Sequence, residues 1–369
     1  MNLHVLSIEN LRKFCHLKWH DDIPDDGIAM GIADIDFKGP DGLVDFITTH
    51  LHEDMSFYGP YEGIPSAIEA GNQFLLSKGI PLSESKNLQI IPGTMMGIYL
   101  VLEWISRKLG EILMINPIYP PFINHAKQTC NTIKWLDLQI ADEWHLNEEK
   151  LKENVNENIK LLVFNNPDNE VGIVFKEDEI RLISDLSEDY AFPCFVDELY
   201  EPLTFKKSNH ISLASLENMQ NRCFTLFGFP KAYGFAGWRS GFMHLAHPEF
   251  EAIKYIVEQI LVAPSPVTSL VMEFALTSPK VFKWKIAFRD QMEHNTELVT
   301  RLLTENNIEC VRPEGGFFVF PKIELEDYKF KKDLLINQGV EVVTGSEFGP
   351  AGKGFIRINC ATSEERMEK

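Results

Sequence analysis

Between residues 111 and 246 five short apolar runs recur: "EILMIN" (111–116), "KLLVFNN" (160–166), "AFPCFVD" (191–197), "RCFTLFGF" (222–229) and "SGFMHLA" (240–246). Runs of this length that are apolar throughout, rather than alternating, belong to strands buried on both faces. The helix-length segments between most of them supply the crossovers that parallel strands require. "EDEIRLISDLSEDY" (177–190) places apolar residues at helical spacing and predicts one such crossover helix. The last two runs lie too close together for a helix and predict a local antiparallel pair.

The pattern changes after "LAHPEF". Residues 248–306 carry long helical stretches, and "VRPEGGFFVFP" (311–321) and "GFIRINC" (354–360) then read as strands of a second sheet. A chain of 369 residues also exceeds one ordinary core. The expectation is an α/β protein: a large domain with a mainly parallel sheet covered by helices on both faces, plus a smaller α+β C-terminal domain. The units are an N-terminal arm over 1–45 packing with the small domain, a large domain over 46–265 and a small one over 266–369. No internal repeat is evident.

Composition narrows the class. With 44% hydrophobic and 24% charged residues and no low-complexity tract, the chain has the profile of a globular enzyme or binding protein. Its net charge of −19 argues against nucleic acid or an anionic membrane as partner, since both demand clustered Lys and Arg. The six cysteines form no CxxC pair and read as reduced core residues. The N-terminus lacks a secretory pattern, no apolar run has bilayer length, and the cytoplasm is expected. "HLHED" (50–54) spaces its histidines i, i+2, which do not share a helix face, so no metal site is expected.

The chemistry is expected at the strand ends. Ligands of open α/β sheets bind beyond the carboxyl ends of the strands, which makes Asn116, Tyr119, Asn166, Asn169, Asp197, Tyr200 and Lys231 candidates by position. Turn chemistry also explains Asn169, loop packing Tyr119 and helix capping Asp197. Lys231, in "LFGFPKAYGFAGWRSGF" (226–242), is harder to explain that way. It follows a buried strand, where desolvation lowers a lysine pKa as an amine nucleophile requires, although a structural salt bridge would also place it there. A buried lysine, an aspartate, a tyrosine and an asparagine at strand ends suit pyridoxal phosphate, which needs a lysine, a carboxylate for its ring nitrogen and an anion site for its phosphate.

Eight stretches in order, "YGPYEG", "PGTMMG", "NPIYPPF", "NNPDNEVG", "VDELY", "PKAYGFAGWRSGF", "RPEGGFFVF" and "FIRIN", resemble fold-type I pyridoxal-phosphate enzymes of the aspartate aminotransferase superfamily, class I/II. The resemblance implies that Lys231 is the Schiff-base lysine, that Asp197 pairs with the pyridinium nitrogen, and that Tyr200 and Asn169 bind the ring oxygen. Tyr119 stacks on the ring, while Arg239 and the backbone of Gly93, Thr94 and Met95 hold the phosphate. Free N–H groups and a positive dipole end at a helix start suit that anion. Tyr58 reaches the phosphate of the neighbouring subunit, which implies a homodimer. Arg357 binds the substrate α-carboxylate, with Asn169 and Ala33 as further substrate contacts. By residue pattern alone Arg357 alternates with Ile356 and Ile358 and reads as a solvated edge residue.

Three features depart from the family pattern. Gly228 and Pro230 stand where hydroxyl residues are usual, which removes a phosphate hydrogen bond, and Glu170-Val171 replaces the usual Pro-Thr. The stretch after Arg357 is also short. The reading implied is an aminotransferase moving an amino group from an L-amino acid to a 2-keto acid. "IADIDFKGP" (32–40), "YPPF" and "HISLAS" (210–215) resemble the cystathionine β-lyase-like branch and keep a carbon–sulfur β-lyase as an alternative. A third reading, a catalytically degenerate cofactor-binding regulatory protein, rests on Gly228, Pro230 and the short C-terminus.

Overall fold

The computed structural model describes residues 3–82, 87–323 and 326–369. In chain order its strands are β1 (Ile28–Ala29), β2 (Leu88–Ile91), β3 (Glu111–Asn116), β4 (Thr132–Asp137), β5 (Ile159–Asn165), β6 (Cys194–Asp197), β7 (Cys223–Gly228), β8 (Gly241–Ala246), β9 (Phe318–Val319), β10 (Val340–Glu341), β11 (Val343–Thr344) and β12 (Ile356–Asn359). The main sheet runs β2-β8-β7-β6-β5-β3-β4. Strands β4, β3, β5, β6 and β7 are parallel, and β8 lies antiparallel between β7 and β2.

The five apolar runs became β3, β5, β6, β7 and β8, and the close-spaced pair is antiparallel as its spacing required. The segment Glu177–Asp189 is the crossover helix between β5 and β6, with Ile180, Ile183 and Leu186 turned inward. Strands β2 and β4 gave no comparable signal. β2 has four residues, and β4, "TIKWLD", is an edge strand that is mostly half-exposed, so neither carries a long continuous apolar run.

A large hydrophobic core covers both faces of this sheet and takes in Val281, Trp284 and Phe288 of the long helix Pro279–Glu305. A separate core holds Leu298 and Val299 of the same helix with Val319, Val342, Ile356 and Met367. Around this second core stand a three-stranded antiparallel sheet, β11-β12-β9, and the parallel pair of β1 with β10. The N-terminal segment thus adds a strand beside residues near the C-terminus.

A buried charge fixes that attachment. Asp36 Oδ1 accepts from Lys18 Nζ (2.9 Å) and Trp19 Nε1 (2.9 Å), and Oδ2 accepts from Thr362 Oγ1 (2.6 Å) and Arg366 Nη1 (3.0 Å). Burial alone would raise its carboxyl pKa, but the Lys18 charge and the bonds from Thr362, Trp19 and Lys18 hold it below the ordinary value. This packing accounts for the second aspartate of "IADIDFKGP", Asp36, without a ligand. Asp36→Asn leaves Lys18 buried and uncompensated, and denaturant unfolding should show a loss of about 3 kcal/mol. Because the folded pKa is depressed, the ionised carboxyl also favours the fold above the ordinary value of 3.8, a contribution lost as pH falls through the lower folded value.

All six cysteines are unpaired. Among the described residues no helix is long and apolar enough to cross a membrane.

Candidate active site

The parallel strands β5, β6 and β7 end on one side of the sheet, where a cavity of about 90 Å³ opens. Its walls include Ala33, Thr94, Met95, Tyr119, Asn165, Asn169, Asp197, Tyr200, Lys231 and Arg239. Most of the residues expected at the site therefore converge. Another cavity, about 320 Å³ around His145, Arg312 and Glu314, holds none of them.

Asp197 is the last residue of β6 and is buried, with Oδ1 accepting the Leu199 N–H at 3.0 Å. Burial pushes its carboxyl pKa up to about 7, against the Leu199 bond and the Lys231 charge. A carboxyl raised this far is short of a cationic partner. Tyr200, packed edge-on against Phe317, is 3% exposed and its hydroxyl has no partner. Lys231 sits at the cavity wall and its Nζ donates to the Ala33 carbonyl at 2.5 Å. Burial pulls its pKa down to about 8, with the Arg357 and Arg239 charges in support and Asp34 and Asp197 opposing.

The helix Thr94–Ser106 starts at the cavity rim with no side-chain cap on its first N–H groups. Gly93 precedes it at φ +89°, where a Cβ would stand 2.6 Å from Arg239 Nη2. Glycine is required there twice over, by backbone conformation and by the guanidinium lying across it. Arg239 itself is left-handed (φ +52°), with Nη1 donating to the Ala236 carbonyl at 2.9 Å. Gly228 is explained by Thr94: a Cβ at 228 would come within 2.5 Å of the Thr94 methyl.

Three candidates are placed elsewhere. Asn116 donates to Asp137 Oδ1 (2.5 Å) and ties the ends of β3 and β4, while Asn166 accepts the Phe175 N–H (3.1 Å) through its side chain and braces the loop after β5. Of the adjacent pair Asn165 and Asn166 it is Asn165, not the expected Asn166, that joins Asn169 on the cavity wall. The register partner of Asn165 is Asp197, so the two share a face, and its Oδ1 is buried without a partner. Sequence shows two adjacent asparagines but not which one the register turns inward. Tyr58 is 85% exposed and does not line this cavity.

Arg357 contradicts the edge-residue reading, because its side chain is buried behind the cavity. The guanidinium carbon lies 4.1 Å from the Phe318 ring centre and 4.5 Å from that of Phe348. Nη1 is 3.5 Å from Glu170 Oε1, Nη2 is 3.4 Å from the Gly31 carbonyl, and Nε has no partner. The two aromatic rings, not solvent, take the face that alternation alone leaves open.

The donor set fits pyridoxal phosphate. An unpartnered buried phenol, a carboxyl short of a cation, a lysine of lowered pKa and a helix start beside Arg239 stand in one cavity, each of a type that the group's ring oxygen, ring nitrogen, aldehyde and phosphate would engage.

The comparisons agree. Residues 33–369 match the family "Aminotransferase class I and II". The aspartate aminotransferase of Pyrococcus abyssi is 29% identical over 93% of this chain and 90% of its own length. Aromatic-amino-acid aminotransferase 2 of Thermococcus litoralis is 28% identical over 93% of this chain and 89% of its own. The crystal structure of an aromatic aminotransferase from Pyrococcus horikoshii superposes with a TM-score of 0.89 at 27% identity, covering 94% and 93% of the two chains. With its strand order, its strand-end residues and a family match over nearly its whole length, the chain belongs to the aminotransferase class I and II family of pyridoxal-phosphate enzymes.

Proposed function

We propose that this aminotransferase moves an amino group between an L-amino acid and a 2-keto acid in the strand-end cavity, with Lys231 as its central group. The observation that carries this reading is the convergence there of a lysine of lowered pKa, the carboxyl of Asp197 and the unpartnered hydroxyl of Tyr200. Lys231 would hold pyridoxal phosphate covalently, Asp197 its ring nitrogen, and Tyr200 and Asn169 its ring oxygen. Tyr119 would lie against the ring, and Arg239 with the N–H groups after Gly93 would hold the phosphate. When bound, the group supplies an electron sink for the pair left at the substrate Cα.

The chain's own residues supply the rest. Near neutral pH an amine with a pKa of about 8 is free in a usable fraction, so Lys231 Nζ can take the Cα proton and return it elsewhere. Asp197 would hold a proton at the ring nitrogen by charge. Arg357, whose planar fork faces Glu170 and the Gly31 carbonyl, would orient the amino acid by its α-carboxylate. We also place the enzyme in the cytoplasm as a homodimer, with Tyr58 of the partner subunit completing the phosphate site. The exposed cluster of Phe57 (79%), Tyr58 (85%) and Tyr61 (52%) supports that contact.

Acidic and aromatic L-amino acids, the substrates in the relatives' names, are the first to try with a 2-keto acid. Formation of the new amino acid supports transamination. Pyruvate and ammonia in its place would mark a lyase. Gly93→Ala tests the phosphate cradle: the strained φ and the clash with Arg239 should weaken pyridoxal phosphate binding about tenfold or more in a direct titration.

A further inference from the structure

Glu170 stands where the family pattern has proline, and its side chain is fully buried. Oε1 accepts from Asn169 Nδ2 at 2.5 Å and faces Arg357 Nη1 at 3.5 Å, whereas Oε2 is buried with no partner. Arg357 is under-satisfied in turn: of its five N–H donors only two bonds are made, both long, and Nε is unpaired. A guanidinium stacked between two rings with donors to spare is shaped to take a bidentate acceptor, and an internal carboxylate already sits against it. A substrate carboxylate arriving beside an ionised Glu170 would place two anions on one cation, with an unpartnered oxygen between them.

We propose that Glu170 is a specificity-determining residue that, when ionised, occupies Arg357 in place of a substrate carboxylate and releases it by taking up a proton. This rests on Arg357 being the carboxylate anchor. The step is balanced simply: one proton from solvent joins Glu170 Oε2, and one carboxylate takes its place on the guanidinium.

The groups facing Glu170 are Asp168 on its own loop, Arg357 on β12 and Asp197 at the end of β6, with the Tyr119 and Tyr200 hydroxyls across the cavity. Burial first, then the Asp168 charge, push the Glu170 carboxyl well above its ordinary range, against Arg357 and the Asn169 bond. Asp168 is the rival for the proton. Burial pushes its carboxyl up to about 7, but its Oδ1 accepts the N–H groups of Glu170 (2.9 Å) and Val171 (2.8 Å), which favour its anion, whereas Glu170 keeps an oxygen with no partner and is the stronger candidate for the proton.

The sign follows. Carboxylate affinity should fall as pH rises through the Glu170 titration, approaching tenfold per pH unit. The test is calorimetry on the cofactor-loaded enzyme with succinate and 3-phenylpropionate, carboxylates without an amine, in buffers of different ionisation heat. Wild type should take up close to one proton per probe bound at high pH. Glu170→Gln, nearly isosteric, should take up none and bind the probes at least tenfold tighter there, while phenethylamine, which has no carboxylate, should not distinguish the two proteins. Unchanged uptake in Glu170→Gln, loss of uptake in Asp168→Asn instead, or failure of both probes to bind Glu170→Gln would each overturn the proposal. If the variant fails to fold, zero uptake by wild type overturns it. Probe binding unaffected by Arg357→Lys would show instead that the anchor assignment itself is wrong.

Discussion

Lys231→Met is expected to abolish transamination while leaving the fold intact and the cofactor-free protein more stable. Methionine keeps the length and apolar stem but has no amine, so neither covalent attachment of the cofactor nor proton transfer at Cα can occur. Activity should fall by roughly four orders of magnitude, the upper end of what a positioned acid–base group contributes. The stability gain comes from the same burial. A lysine held at about 8 against an ordinary 10.5 makes the folded chain bind fewer protons than the unfolded one between those values. The cost is therefore complete below pH 8, about 3 kcal/mol, and fades as pH rises towards 10.5. Removing the amine should return much of it at neutral pH, read as a rise in Tm without cofactor, as expected where a site is kept at the expense of stability. Residual turnover near the wild-type rate would remove Lys231 from the chemistry.

Asp197→Asn should lower turnover about a thousandfold, equivalent to about 4 kcal/mol, because an amide cannot hold a proton on the ring nitrogen by charge. Its carboxyl, raised to about 7 by burial, would gain a cationic partner on binding the ring under the proposed assignment, and the amide would forfeit that gain. In the cofactor-free chain the sign reverses. A carboxyl whose folded pKa is raised above 3.8 costs stability increasingly as pH climbs to about 7 and fully above it, so the variant should be the more stable protein at pH 8. A pairing role in the holoenzyme predicts both halves, and a merely structural aspartate predicts neither. Near-normal kinetics would withdraw the role.

The parallel sheet was legible because strands buried on both faces need continuous apolar runs, and β3, β5 and β7 have them. β4 was not, because an edge strand is half solvated and its Lys134 and Thr132 break the run. At the site, Lys231 and Asp197 stood out because a charge directly after a buried strand is costly without a purpose. Asn165 and Asn166 could not be told apart, since the pairing of Asn165 with Asp197 is a property of register, not of composition. Arg357 lay in the blind spot of alternation: period two says which side of β12 it leaves, while the rings of Phe318 and Phe348, distant in sequence, decide that this side is closed. Glu170 was visible as a departure from pattern, but its contact with Arg357 spans 187 positions and is made only by the tertiary fold.

The claim on which the rest depends is that Lys231 is the attachment point of pyridoxal phosphate. Borohydride reduction of the cofactor-loaded enzyme, followed by proteolysis and mass mapping, tests it directly. One reduced adduct is expected, on the peptide containing "FGFPKAYGF", and none in Lys231→Met. An adduct on another lysine, or none at saturating cofactor, would contradict it.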